Sequence, residues 1–406
     1  MIKENKKQIV FYCASHPFEV IYKIARIFRK KGYETILFTM CEKDRFDYEF
    51  YSEAFDKVIC SNFQFFKPSL RSIPYILKRG ASLIKFLISV KLIKPYVVIG
   101  VSGNNWQLRL VHKYFLRKYP FIYFPYDIIS HSYNSIEEAL EKGTKKFEIE
   151  AEKYCFENAE GVMHKGDPNE LKFVEGRIHK KLKVQELQLS FLPYCSKEFT
   201  VPLNNHKLSQ KDKELHLVYV GGFRHDYKSK KKAEDIVNNI QKQKINVHIY
   251  TKEAHLSEKN EKKHIQNFFS PFIKKKYFHL HKALDPKELI PEISKYDFGF
   301  WINHAMENLE SKFATGNKIA SYFEAGLPFI YDDQLLFVDK LMKSYGLVGL
   351  SFNEKNVIML KKRLRKLNYK KILKKVQKAR IDFGIDKNFP RLERFIEKVV
   401  RKREPQ

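Results

Sequence analysis

Residues Gly316–Asp333 read GNKIASYFEAGLPFIYDD, and this stretch decides the fold. A lysine opens a run with helical apolar spacing, and Ala-Gly-Leu-Pro closes it. Gly326 supplies a residue that can end a helix in the left-handed region, and Pro328 cannot continue one. The segment Pro328–Tyr331 then reads as a short buried strand. Asn317 and Lys318 stand at the helix start, where backbone N–H groups and an ammonium together suit a phosphate. An ordinary capped helix accounts for the same residues, so the surrounding sequence has to decide.

Working outward, the same alternation recurs. Upstream, Leu215–Val220 (LHLVYV) is a strand running into Gly221–Gly222, followed by a helix at Lys231–Gln243. Strands follow at Asn246–Tyr250 and Tyr277–Leu280, then a helix at Pro286–Ser294 and a strand at Phe298–Ile302. The N-terminal half shows strands at Gln8–Ala14, Glu34–Cys41, Phe55–Cys60, Tyr96–Val101, Phe121–Tyr126 and Gly161–His164. Helices are read at Phe18–Lys31, Trp106–Arg117 and Ile136–Asn158. Short apolar strands separated by helices mean parallel sheets covered on both faces. The expected fold class is α/β, with two doubly wound Rossmann-like domains and a cleft between them at the carboxyl ends of the strands. The expected division is 1–199, a polar linker at 200–214, a second domain at 215–380, and a C-terminal helical segment at 381–406.

In order and spacing these segments resemble the GT-B glycosyltransferases, particularly the family-four-like group (group 1). That group commonly reads N-K-hydrophobic-x-E-Y-x-A-x-G-x-P. Asn317, Lys318, Ile319, Tyr322, Gly326 and Pro328 match it, with Ala325 at a neighbouring small-residue position. YDFGFWINHAMEN (Tyr296–Asn308), LVYVGGFRHDYKSKKK (Leu217–Lys232) and ALDPKELIPEISKYD (Ala283–Asp297) look like the neighbouring family segments. In the first half, KPYVVIGV, FIYFPYD and AEKYCFENAEGVMHKGD occupy matching places, so the resemblance covers most of the chain.

The resemblance implies transfer of a sugar from a nucleotide-diphosphate donor to a hydroxyl of a glycan or lipid-linked acceptor, as in cell-surface polysaccharide or glycolipid synthesis. The donor is a substrate; no cofactor and no metal are expected. Gly221, Gly222, Arg224, Asn317 and Lys318 are the implied donor-side residues, with Arg224 and Lys318 on the diphosphate. Ser321 stands where the family often carries a ribose-binding Glu, and Glu324 lies one helical turn later; both are donor-side candidates. The family's paired acid would fall on Phe313. A retaining outcome is implied by resemblance alone.

The acceptor side is read from strand ends. His16 follows the first strand and Asp127 the fifth; they are the catalytic candidates, with helix capping as the alternative for each. Ser102, Asn104, His131 and His304 are acceptor-side candidates, and loop or helix capping accounts equally for Ser102 and Asn104.

Composition narrows the classes. The 406 residues carry 76 Lys and Arg against 47 Asp and Glu, a net charge of +29. Apolar residues make up 44%, enough to bury cores and to exclude a disordered chain. Sixty of the basic residues are Lys, whereas fixed-geometry phosphate and nucleic-acid recognition leans on Arg. Nucleic acid is therefore not the expected partner. The five cysteines are scattered without C-x-x-C, which fits a reducing cytosol. Neither a secretory leader nor a membrane-spanning stretch is read. Lys67–Lys94 holds seven basic residues and no acid, and packing or contact with an anionic membrane surface both fit it. Lys355–Arg380 holds twelve and no acid, and reads as solvated helix faces divided at Asn368. The expected location is cytoplasmic, with peripheral contact at the cytoplasmic membrane face as an open option. Two other classes fit less of the sequence: a non-catalytic basic binding protein on the same scaffold, and a GT-B polyol-phosphate transferase.

Overall fold

A computed structural model describes residues 6–13, 19–41, 48–60, 88–89, 92–174, 186–222, 227–251, 271–272, 274–303, 312–313, 315–346 and 348–403. The chain divides into two units, Met1–Leu192 with Asn388–Gln406, and Pro193–Lys387.

Unit 1 is built on seven parallel strands: β1 (Gln8–Cys13), β2 (Glu34–Thr39), β3 (Lys57–Cys60), β4 (Val97–Val101), β5 (Phe121–Phe124), β6 (Gly161–His164) and β7 (Gln188–Ser190). Their order is β3-β2-β1-β4-β5-β6-β7. Strands β1, β4 and β5 are buried almost end to end, as a sheet covered on both faces requires. Close approach is built in at β4, where a Cβ on Gly100 would come within 2.5 Å of the Phe121 ring.

The long helix expected over Ile136–Asn158 is two helices, Ile136–Glu141 and Lys146–Asn158. Gly143 at φ +91° ends the first. Its N–H donates to Leu140 O and that of Thr144 to Ala139 O, the paired bonds of a Schellman cap. The helix after β4 starts at Asn105, and its last turn relaxes into a π-helix at His112–Leu116. Strand β7 escaped the sequence reading because three residues carry too little pattern.

Unit 2 has six parallel strands: β8 (Leu215–Val220), β9 (Ile245–Tyr250), β10 (Phe278–His281), β11 (Phe298–Trp301), β12 (Phe329–Asp332) and β13 (Gly349–Phe352). Their order is β10-β9-β8-β11-β12-β13. Both sheets thus wind outward in two directions from a central pair, β1/β4 in one and β8/β11 in the other. Ligands in such sheets bind outside the carboxyl ends of that pair, where the winding reverses.

Residues 200–214, read as linker, lie within unit 2 and include a short helix at Ser209–Asp212. Asn368 does divide two helices: it caps Tyr369–Asp382 by accepting from Lys371 N at 3.0 Å. The last helix, Ile385–Arg403, belongs to unit 1 from Asn388 onward. There Phe389 packs edge-on against Phe28 at 4.9 Å, and Glu393 accepts from the Tyr33 hydroxyl at 3.1 Å. Among the described residues no helix is long and apolar enough to cross a membrane.

Candidate functional site

In unit 2 the residues of the deciding stretch converge on the reversal point. The helix Asn317–Glu324 starts at Gly316, which caps it without a side chain. Tyr322 locks this helix onto the sheet. Its ring lies on Gly299 of β11, where a Cβ would stand 2.5 Å from the ring, and its hydroxyl reaches Phe300 O at 2.7 Å. Lys318 is four residues earlier, so it lies on the same helix face, one turn nearer the strand ends. Its ammonium sits over the rings of Tyr219, at 4.8 Å, and Trp301, at 5.7 Å. Tyr219 also braces the turn after β8, donating to Gly222 O at 2.9 Å.

Gly221 takes φ +106°, and a Cβ there would stand 3.1 Å from Lys318 Nζ. The Gly-Gly turn, the helix start and the lysine therefore meet at the ends of β8 and β11. A positive charge on an aromatic floor, beside a glycine backbone that leaves room next to the ammonium, can take an anionic ligand. Gly299→Ala should displace Tyr322 and cost roughly 1–3 kcal/mol, read as a lowered melting temperature. An unchanged melting temperature would show that the helix is not seated through this contact.

Two donor-side candidates play structural parts instead. Ser321 is 4% exposed, and its hydroxyl donates back to Asn317 O at 3.2 Å. Glu324 is fully buried, and its carboxylate accepts from Ser196 N at 2.6 Å. Gly326 completes the helix end at φ +68°, and a Cβ there would meet Leu203 at 2.7 Å. The chain thus uses the C-terminal end of this helix to hold 195–203. Arg224 and His304 lie outside the described residues, as do His16 and most of Lys67–Lys94.

Within the lysine run after the turn, Lys231 is exposed and Lys232 is buried. Lys232 Nζ stands 2.7 Å from Asp332 at the end of β12 and donates to Gln334 Oε1 at 3.0 Å. Asn303, just past β11, also donates to Gln334 Oε1, at 3.3 Å. This buried cluster ties the ends of β11 and β12 to the helix Tyr227–Lys242. No sequence pattern distinguished Lys232 from its neighbours.

In unit 1, Asp127 is exposed, and Lys165 holds one of its carboxylate oxygens at 3.1 Å. The same ammonium lies 3.7 Å from the Tyr126 ring centroid. Ser102 is buried and accepts from Tyr126 N at 2.7 Å, so it anchors this loop from the end of β4. Asn104 caps the helix Asn105–Val111 by accepting from Gln107 N at 3.2 Å. His131 does not line an open face: it is 1% exposed, and its Nδ1 lies 3.2 Å from Glu170 Oε1.

The other Glu170 oxygen meets His164 Nδ1 at 2.7 Å. Burial alone would raise the Glu170 carboxyl; hydrogen bonds and charge from His131 and His164 outweigh it and bring the pKa down to about 2. Glu152, also buried, accepts from Ile129 N at 2.7 Å. The loop carrying Asp127 is therefore held from β4, from β6 and from two buried carboxylates. His164, Lys165, Glu170 and Glu152 were not singled out in the sequence, although AEKYCFENAEGVMHKGD contains three of them; parallel pairing of β5 with β6 is what brings His164 and Lys165 there.

A second polar array lies across β8, β9 and β10. Asp212 Oδ2 meets His216 Nε2 at 2.9 Å, His216 Nδ1 meets His248 Nε2 at 2.9 Å, and His248 Nδ1 meets His281 Nε2 at 3.0 Å. With Asp212 ionised, one tautomer assignment satisfies this chain: each imidazole donates from Nε2 and accepts at Nδ1. His279 stacks on His248 at 4.4 Å and bonds Asn246 at 2.9 Å. Burial, then the neighbouring His279, His216, His281 and Lys295, push His248 down to about 2. The alternation His279-x-His281 was the available signal, since i and i+2 share a strand face. Among the described residues no group of three or more His, Cys, Asp or Glu side chains is placed to hold a metal ion.

No family model matches the chain, and no curated protein matches it in sequence. Solved structures do match. Sucrose-phosphate synthase from Thermosynechococcus elongatus is 12% identical, with 97% of this chain and 99% of that one covered, at a TM-score of 0.66. HepE from Anabaena, in complex with UDP and glucose, is 11% identical over 97% and 100% of the two chains, at 0.64. A glycosyltransferase from Rickettsia africae is 11% identical over 98% and 99%, at 0.59. At such identities the likeness concerns the backbone, and it covers both units. The chain has the GT-B glycosyltransferase fold, with two Rossmann-like units in succession.

Proposed function

We propose that this protein is a glycosyltransferase that moves a sugar from a nucleotide-diphosphate sugar to an acceptor hydroxyl. The observation that carries the reading is the meeting of Lys318, Gly221 and the helix start at Asn317 beyond β8 and β11. Breaking the sugar–phosphate bond leaves negative charge on the diphosphate. A fixed ammonium and helix-start amides lower that barrier because the charge they stabilise grows in the transition state. The lack of a side chain at Gly221 leaves room beside the Lys318 ammonium for phosphate oxygens to approach. HepE, whose fold this chain shares, is seen with UDP and glucose, which supports a nucleotide-sugar donor here.

Unit 1 supplies the acceptor side. Asp127 keeps one carboxylate oxygen on Lys165 and is exposed enough to accept from a sugar hydroxyl. This suits a glycan or lipid-linked acceptor, with docking at a cytoplasmic membrane face. No metal takes part in the proposed chemistry.

Thermal shift with UDP, GDP, CDP and ADP tests the donor site. One of these should raise the melting temperature, and Lys318→Ala should weaken its binding about 10- to 100-fold, as loss of a charge-assisted contact does. Arg224→Ala should add to the loss. The mass of the product then separates sugar transfer from polyol-phosphate transfer. No response to any nucleotide or nucleotide sugar would sink the proposal.

A further inference from the structure

We infer that the outer surface of unit 2 formed by the helices Leu360–Arg365 and Tyr369–Asp382 docks on an anionic phospholipid bilayer. The surface begins at a groove of about 600 Å³. Ile358 and Met359 line it and are 59% and 48% exposed, in a protein where most large apolar side chains are buried. Lys362, Arg365 and Lys366 line the same groove and are exposed. On the following helix, Lys370, Lys374 and Lys378 recur every four residues, all exposed, which places them along one stripe.

These six cations have no ion-pair partner among the described residues. Their neighbours show what partnered charges look like here. Lys361 is held by Glu214 at 2.6 Å, and Arg363 donates to Asn356 at 2.8 Å and to Ser351 O at 2.9 Å. No acid occurs from Lys355 to Arg380. The folded chain therefore keeps uncompensated positive charge at this face, and an anionic surface is its electrostatic complement.

The apolar pair decides which anionic surface. Exposed aliphatic side chains amid lysines match the boundary of a bilayer, where side chains enter the acyl region and ammonium groups meet headgroup phosphates. A nucleic-acid surface would instead offer aromatic stacking platforms and arginine forks. The one aromatic residue at the start of the second helix, Tyr369, is committed inward: it packs on Phe298 and donates to Asp297 O at 2.8 Å. This inference does not depend on the nucleotide site, which is formed by other residues.

The test is co-sedimentation of the full-length protein with vesicles of phosphatidylcholine alone or with phosphatidylglycerol added. Binding is expected only with phosphatidylglycerol, and it should weaken as salt rises. The triple change Lys362→Ser, Arg365→Ser, Lys366→Ser should weaken it by roughly two orders of magnitude, since each basic residue near such a surface contributes about a five-fold factor. Ile358→Ser with Met359→Ser should weaken vesicle binding while leaving the charge unchanged. All these positions are exposed, so the melting temperature of each variant should equal that of the parent. Equal binding to both vesicle types, or binding that survives the triple change, overturns the inference. So does RNA binding abolished by the triple change and untouched by the apolar one, because the surface would then be read by its charge alone.

Discussion

Lys232→Ala should destabilise unit 2 by about 3–5 kcal/mol, because it leaves the Asp332 carboxylate buried without its counter-charge. The pair is nearly sealed from solvent, at 4% and 2% side-chain exposure. In water a lost surface pair would cost a fraction of this; here the carboxylate can neither hydrate nor move away. For a unit of this size the loss corresponds to a fall in melting temperature of roughly 10 °C. Urea unfolding of the full chain would measure it. Replacing both partners by apolar residues, Lys232→Met with Asp332→Leu, should recover most of the loss, since no charge is then stranded. A cost below about 1 kcal/mol for the single change would mean that water reaches Asp332 and that the cluster does not brace the strand ends.

Stability should also fall steeply as pH drops from about 6.5 towards 4. Burial, assisted by neighbouring imidazoles and lysine, lowers His248 to about 2. Burial, with Arg403 and Arg117, lowers His112 to about 4. Burial lowers His279 and His281 as well. Above about pH 6.5 these rings are neutral in both states and favour neither. Below it the unfolded chain binds protons that the folded chain refuses, so stability declines until the folded value is reached.

His248 and His112 each remove about 1.4 kcal/mol per pH unit across that window. Glu170, depressed to about 2 by its two histidines, adds its own loss below about pH 4.5. Asp297 and Glu148, which burial raises, take up protons first in the folded state and offset part of the decline. The net expectation is a loss on the order of 3–6 kcal/mol between neutral pH and pH 4.5. His248→Leu should flatten the slope by about one proton. A melting temperature level across this range would contradict the neutral array.

The two predictions rest on features of different legibility. The depressed histidines of the array arise from a face shared by three neighbouring strands, and His112 from burial in a helix of unit 1, although each histidine is visible in the sequence. The Lys232–Asp332 pair joins residues a hundred positions apart, and the surrounding lysines look alike until one is buried. The donor-side stretch behaved otherwise. Lys318 and Gly221 came together as their positions implied, because helix spacing and strand ends are local properties that the fold preserves. Ser321 and Glu324 share that helix, yet each turned inward. A helix has one face for the sheet, one for the rest of the chain and little for ligand beyond its first turn.

The sequence alone determined what depends on short-range physics. Apolar runs set the strands, 3.6-residue spacing set the helices, and glycine caps such as Gly326 set where they stop. From these followed two parallel-sheet units and the location of the helix start that we propose binds phosphate. The tertiary structure decided what depends on neighbours distant in the chain. It committed Lys232, Glu324 and His131 to buried partners and held Asp127 against Lys165. It also left Lys362, Arg365 and Lys366 without an ion-pair partner among the described residues, around exposed Ile358 and Met359. A side chain's charge and size are written in the sequence. Whether it meets water, a counter-charge or a ligand is settled only when strands from separate parts of the chain pair, because burial is a property of the assembled fold.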